Sequence, residues 1–213
     1  MNITVFGATG ATGREVVTQA LANGHHVTAF ARTPANVPMN EHPQLTIVQG
    51  DATKATDIAR AITEETEVVI STLGHRRGDP QPNLLTNATQ AIISTMQQHQ
   101  VKRLILQSGA GCWIEGKDNP GLLEHVVRFA LKTFSGHVLE DSERMVATVM
   151  NSGLDWTIPR APRMVEGDHT STYRVGYLGN NAGTTISFAD FADFIVKELD
   201  NNANLCESPV ISY

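Results

Sequence analysis

A glycine-spaced turn near the N-terminus, Gly7-Ala8-Thr9-Gly10-Ala11-Thr12-Gly13, constrains the fold of this chain more than any other segment. A β-prone run, Ile3-Thr4-Val5-Phe6, leads into it. A helical pattern follows from Arg14 to Ala22, with Val16, Val17, Ala20 and Leu21 on one face. Asn23-Gly24 ends that pattern as a helix C-terminus does, and His26 to Ala31 reads as the next strand. Strand, tight turn, helix and strand within about 30 residues is the length of one βαβ unit, the building block of a parallel sheet.

A strand that enters a helix through a tight turn needs positive φ, which glycine adopts without steric cost. The N–H groups and dipole at the start of such a helix attract a pyrophosphate, and glycine lets it approach the main chain. The spacing is G-x-x-G-x-x-G rather than G-x-G-x-x-G. Three glycines alone describe any flexible turn; the flanking strand and helix point to a dinucleotide site. NAD enzymes place an acid about 20 residues past the turn for the ribose hydroxyls, and NADP enzymes use an arginine for the 2′-phosphate. The second strand runs out as Phe30-Ala31-Arg32-Thr33-Pro34, with no acid from His25 to Asn40. Arg32 suits a 2′-phosphate bidentately where a carboxylate would repel it, although a solvated surface arginine is the other reading.

The alternation continues along the chain. Strands are expected at Leu45 to Gln49, Glu67 to Leu73, Lys102 to Gln107 and Leu154 to Pro159. Helices are expected at Asp57 to Ile62, Asn83 to Gln100 and Glu140 to Asn151, with a long excursion after Ser108-Gly109. This order implies an α/β fold with a doubly wound parallel sheet of the Rossmann type. Ligands in such sheets sit at the C-terminal strand ends, where Gly7, Arg32, Asp51, Gly74, Ser108 and Pro159 all fall. Beyond Pro159 the pattern breaks into short β-like pieces around Tyr173 to Leu178, a helix capped by Ser187, and a last strand from Ser208 to Ser212. One domain is expected over residues 1–213, with residues 160–213 forming a small cap on the substrate side.

Composition narrows the function. With 16 basic and 22 acidic residues the net charge is -6, which argues against a nucleic-acid binder. Two cysteines, Cys112 and Cys206, make no disulfide framework. No apolar run reaches a membrane span of roughly 18 residues, and Met1-Asn2-Ile3 begins without a basic leader. A soluble cytoplasmic protein, monomeric or homodimeric, is the expectation. No cluster has metal-ligand spacing. Asp141 and Glu143 beside Arg144 read as an exposed helical face, and Cys112, next to the expected site, as a buried inert thiol with a redox-active one as the alternative.

The segments VFGATGATG, FARTP, VQGDAT, VISTLG, LILQSGAG, LEDSERMV, GLDWTIPRAP and TISFADFADFI span nearly the whole chain. Together they resemble the atypical short-chain dehydrogenase/reductase family, and within it the NmrA-like and NADPH-dependent flavin reductase (biliverdin-IXβ reductase-like) group. The resemblance implies that Thr9, Gly10, Ala11 and Thr12 hold the pyrophosphate between Gly7 and Gly13, and that Arg32 takes the 2′-phosphate. It also implies that Asp51 and Ala52 flank the adenine, that Leu73, Gly74 and Arg76 follow the middle of NADP, and that Ser108 and Pro159 border the nicotinamide. The flavin reductases carry a histidine after the proline-containing strand end; this chain has Pro159-Arg160-Ala161 there.

Many short-chain dehydrogenases use a Tyr-x-x-x-Lys pair as their acid. None of the three tyrosines, Tyr173, Tyr177 and Tyr213, has a lysine four residues on. Carbonyl reduction and sugar epimerisation are therefore disfavoured. Flavins and quinones accept hydride directly, so the protein need only hold two rings in contact. The expected function is NADPH-dependent hydride transfer to a flavin, quinone or similar planar acceptor, with Ser108 as the catalytic side chain. Trp113 is a candidate stacking surface, with a core or surface role as the alternative. Arg76 and Arg77 are candidates for an anionic substrate tail. The rival is an NmrA-like NADP(H) sensor that acts on a protein partner without turnover.

Overall fold

Runs rich in valine, isoleucine and aromatic residues pair side by side because they are apolar on both faces. The computed structural model describes residues 1–39, 41–75 and 82–213. Its strands are β1 (Asn2–Phe6), β2 (His26–Ala31), β3 (Leu45–Gln49), β4 (Val68–Ser71), β5 (Arg103–Leu106), the short β6 (Ser108–Gly109) and β7 (Asp155–Thr157). All of these except β6 form a parallel six-stranded sheet in the order β3-β2-β1-β4-β5-β7. The chain reverses its direction of winding between β1 and β4, which opens a crevice at the carboxyl ends of those strands. The α/β doubly wound fold expected from the sequence is the one observed.

The helices are α1 (Ala11–Ala22), α2 (Ala55–Ile58), α3 (Leu84–Gln98), α4 (Leu122–Met150) and α5 (Phe188–Lys197). Alternate strand residues serve opposite faces of the sheet. Ile3, Val5, Val27, Ala29 and Ile70 pack with Val16, Val17 and Ala20 of α1 and with Phe191 and Ile195 of α5. Phe6, Phe30, Val69, Leu104 and Leu106 pack on the other side with Ile92 and Met96 of α3 and Met145 and Val149 of α4.

Residues after Pro159 form β8 (Arg160–Ala161), β9 (Arg163–Val165), β10 (Arg174–Gly176), β11 (Thr185–Ser187) and β12 (Val210–Ser212). They build a second sheet, β10-β12-β8-β6, and a β11-β9 pair. Ser187 caps α5 by accepting the Asp190 N–H at 3.0 Å, as its sequence position suggests. The helix itself covers the main sheet beside α1, so only part of residues 160–213 stands apart from that layer.

α4 departs most from expectation. It begins at Leu122, far ahead of Glu140, and carries one break at Ser135, with φ −146° and ψ 33°. Leu122, Leu123, Val126, Val127, Phe129 and Phe134 of its first half are exposed. Apolar residues there spread around the helix without a single buried stripe, so hydrophobic periodicity does not reveal it.

Candidate active site

The three glycines of the opening turn do different work. Gly7 has φ +83°, and a Cβ on it would lie 2.7 Å from Thr72 Oγ1. A Cβ on Gly13 would lie 2.1 Å from the Gly7 carbonyl oxygen, so Gly13 lets α1 close down on the end of β1. Gly10 is the N-cap of α1 and meets only Gly7 O at 3.4 Å. No side chain caps this helix start. Its first-turn N–H groups and the positive end of the dipole therefore face a cleft of about 320 Å³.

That cleft is lined by Gly7, Thr9, Gly10, Ala11 and Thr12, then by Arg32, Asp51 and Ala52 on one side and Leu73 and Gly74 on the other. Gly13 lies buried behind the turn. Pro159 is buried and, like Ser108, is absent from the cleft wall. Arg76 and Arg77 lie outside the described residues.

At the outer end, Arg32 follows β2 with its side chain exposed and has no ion-pair partner among the described residues. The nearby acids are tied to local backbone. Asp51 Oδ1 accepts the Thr53 N–H at 3.0 Å, and Asp57 Oδ2 accepts the Asp51 N–H at 2.9 Å. That amide bond, with Arg60 at 2.9 Å, holds the Asp57 carboxyl below its usual range despite some desolvation. Arg60 also donates to Gln49 O at 3.0 Å, so it is engaged locally, whereas the Arg32 guanidinium has no side-chain partner among the described residues.

The inner end is formed by His75, Leu84, Gln107, Met164 and Phe188. The sequence places Leu84 and Phe188 on helices and Gln107 at a strand end, and none of the five was expected in the site. Gln107 Nε2 donates to Met164 Sδ at 3.6 Å, and its Oε1 is buried without a partner. Ser108, one residue further, donates its N–H to Pro159 O at 2.9 Å and keeps a buried, unpartnered hydroxyl. Cys112 is buried beside that hydroxyl, and burial pushes its thiol up. Trp113 packs against Arg128, 4.5 Å from its ring centroid, and against His125 at 4.8 Å; it does not line the cleft.

Each tyrosine hydroxyl is given to a carboxylate away from the cleft. Tyr173 donates to Asp193, Tyr177 to Glu207 and Tyr213 to Asp190. Burial and the Glu207 contact push Tyr177 up to about 12. Burial and Asp193 raise Tyr173 strongly as well. Neither is suited to give a proton to a reacting group near neutral pH.

Asp141 corrects the sequence reading. It is 0% exposed rather than part of a solvated face. Its carboxylate accepts the Leu85 N–H at 2.8 Å, the Thr86 N–H at 3.1 Å and the Thr86 hydroxyl at 2.6 Å. His75 Nε2 lies 2.9 Å from Asp141 Oδ2, an ion-pair distance off the line an N–H bond prefers. Burial pushes the Asp141 pKa up, but these donors outweigh it and the carboxyl sits below its usual range. The signal was available: residues 141, 145 and 149 share one helical face, and Met145 and Val149 are core.

The same fold recurs in known proteins. The uncharacterized protein YwnB of Bacillus subtilis is 27% identical over 207 residues, covering 94% of this chain and 93% of its own. A short-chain dehydrogenase/reductase from Veillonella parvula, solved in complex with NADP, superposes with a TM-score of 0.81 at 16% identity, covering 100% of this chain and 94% of its own. ChuY of Escherichia coli, described as an anaerobillin reductase, gives a TM-score of 0.79 at 21% identity, covering 100% of this chain and 97% of its own. A family model described as NAD(P)H-binding matches residues 7–202, and this chain belongs to that family.

Proposed function

We propose that the protein is an NADPH-dependent reductase that delivers a hydride to a flavin, a quinone or a similar planar acceptor. One observation carries the reading: an uncapped helix start on a glycine turn shares a cleft with the unengaged Arg32. In this reading the main-chain N–H groups around Thr9, Gly10, Ala11 and Thr12 hold the pyrophosphate. Arg32 takes the 2′-phosphate, and Asp51 and Ala52 flank the adenine. Leu73 and Gly74 follow the middle of the cofactor. Gln107 walls the nicotinamide end, with Ser108 and Pro159 behind it.

When bound, the cofactor supplies a hydride at the inner end of the cleft. The chain holds the two rings together and excludes water with Leu84, Met164 and Phe188. The engaged tyrosines favour an acceptor that takes hydride without a Tyr–Lys acid. The fold neighbours bound to NADP or described as a reductase support the same general class. Steady-state NADPH oxidation by the full chain tests this. Turnover is expected with riboflavin, FMN or a quinone and not with simple ketones; the reverse pattern contradicts it.

The exposed apolar first half of α4 favours a second reading, a nucleotide sensor that binds a partner protein there. Tight NADPH binding with no turnover on any acceptor is its expected signature.

A further inference from the structure

Buried polar atoms in native proteins nearly always have hydrogen-bond partners, and the exceptions call for a reason. Among the described residues, the buried side-chain atoms without one belong to His75, Arg103, Gln107 and Ser108. His75 and Gln107 line the inner cleft, and Ser108 follows Gln107. Three of these residues, His75, Gln107 and Ser108, thus gather where β4 and β5 run out, beside the place where the reacting rings would meet, while Arg103 begins β5 at its other end.

His75 is the titratable member of that group. Its side chain is 6% exposed, and its Nδ1 has no partner among the described residues. The carboxylate of Asp141 stands 2.9 Å from Nε2 and is itself 0% exposed. Asp141 is held rigidly by Leu85 and Thr86 of α3, so it cannot turn away from the imidazole. A carboxylate at that distance fixes the orientation of the ring at the inner end of the cleft. The titratable groups facing His75 among the described residues are Asp141 and His137, both on α4; the His137 ring centroid is 6.5 Å away. The α3 residues packed around the pair, Leu85 and Thr86, bring no charge.

We propose that His75 is the proton donor to the reduced acceptor and that Asp141 is its positioning carboxylate. This rests on the reductase reading. The acceptor gains the hydride, with its two electrons, that the reduced nicotinamide loses. The negative charge left on an acceptor nitrogen or oxygen is neutralised by the proton leaving His75 Nδ1. The N–H bond at Nδ1 breaks, an N–H or O–H bond forms on the acceptor, and the imidazole takes a proton back from water. The inner cleft then supplies both halves of a two-electron, two-proton reduction without the missing Tyr–Lys pair.

The test compares the wild-type chain with His75→Gln, which keeps a donor toward Asp141 and cannot titrate. The variant is expected still to bind NADP⁺. It should lose on the order of 10²-fold in kcat. The fall of kcat with rising pH that a protonated donor imposes should vanish, and added imidazole should restore part of the rate. Independently of turnover, the ¹⁵N signals of the His75 ring should move when NADP⁺ is added. A variant with unchanged kcat and pH profile in an otherwise active enzyme overturns the proposal and leaves the reductase reading intact. A ring whose signals do not respond to NADP⁺ overturns it as well. A wild type that turns over no acceptor removes the reductase reading itself, and the proton role with it.

Discussion

Arg160 and Asp118 form an ion pair sealed from solvent. The Nη1–Oδ2 and Nη2–Oδ1 distances are 2.6 Å and 3.0 Å, and the side chains are 0% and 2% exposed. Arg160 also donates to the Cys112 and Ser208 carbonyls at 2.8 Å each. Asp118 accepts the Ile114 and Leu178 N–H groups. The pair therefore ties the excursion after β6 to the short strands of the cap. Arg160 stands immediately after Pro159, at the start of β8.

Removing one partner leaves an uncompensated buried charge, which costs about 3–5 kcal/mol. Asp118→Ala should lower the urea-unfolding free energy by that amount. Replacing both residues with apolar ones of similar volume should cost much less. A single substitution that leaves the transition midpoint unchanged would show that the pair carries no such load.

Glycine substitutions should separate shape from binding in the opening turn. Gly13→Ala places a methyl against the Gly7 carbonyl and should destabilise the fold by about 1–3 kcal/mol. Gly10→Ala meets little of the protein and should keep the fold, with its methyl at the cleft wall weakening nucleotide binding. Thermal melts with and without NADP⁺ read both effects. A Gly13→Ala protein as stable as the wild type contradicts the close approach of α1 to β1.

Acid should unfold the protein through its buried carboxylates. Asp190 is pushed up by burial, yet donors from Thr170, Ser171 and Tyr213 bring it below its ordinary 3.8. Asp141 and Asp193 behave alike. Their folded pKa values lie below the unfolded ones, so their contribution is complete above about pH 4 and is lost as pH falls through the folded values. Glu198, raised mainly by burial, runs the other way: its contribution is present below 4.5 and is lost as pH rises through its raised value. Urea midpoints measured from about pH 6 to about pH 3 should fall steeply at the acid end. Asp190→Asn should flatten that fall; an unchanged slope contradicts the assignment.

The parts of the fold legible in the sequence are those whose cause is local. Gly7 and Gly13 are needed by one turn, Arg32 directly follows one strand, and the core strands are continuous apolar runs. Residues whose role depends on a distant partner were not legible. Gln107 and Met164 meet across 57 positions in the chain. Asp141 reaches the amides of α3 from a helix that looks polar around that point. The first half of α4 has no buried stripe to announce it. The inner end of the cleft depends on such long-range meetings, and it is the part that sequence reading missed.

The central claim is that the cleft at the α1 N-terminus takes a 2′-phosphorylated dinucleotide on Arg32. Calorimetric titration of NADP⁺ and NAD⁺ into the wild type and into Arg32→Ala tests it most directly. NADP⁺ should bind the wild type more tightly than NAD⁺. The substitution should weaken NADP⁺ by about 10- to 100-fold, as expected for charge-assisted hydrogen bonds worth about 1.5–3 kcal/mol, and leave NAD⁺ nearly unchanged. No heat with either nucleotide, or an equal loss for both, would contradict it.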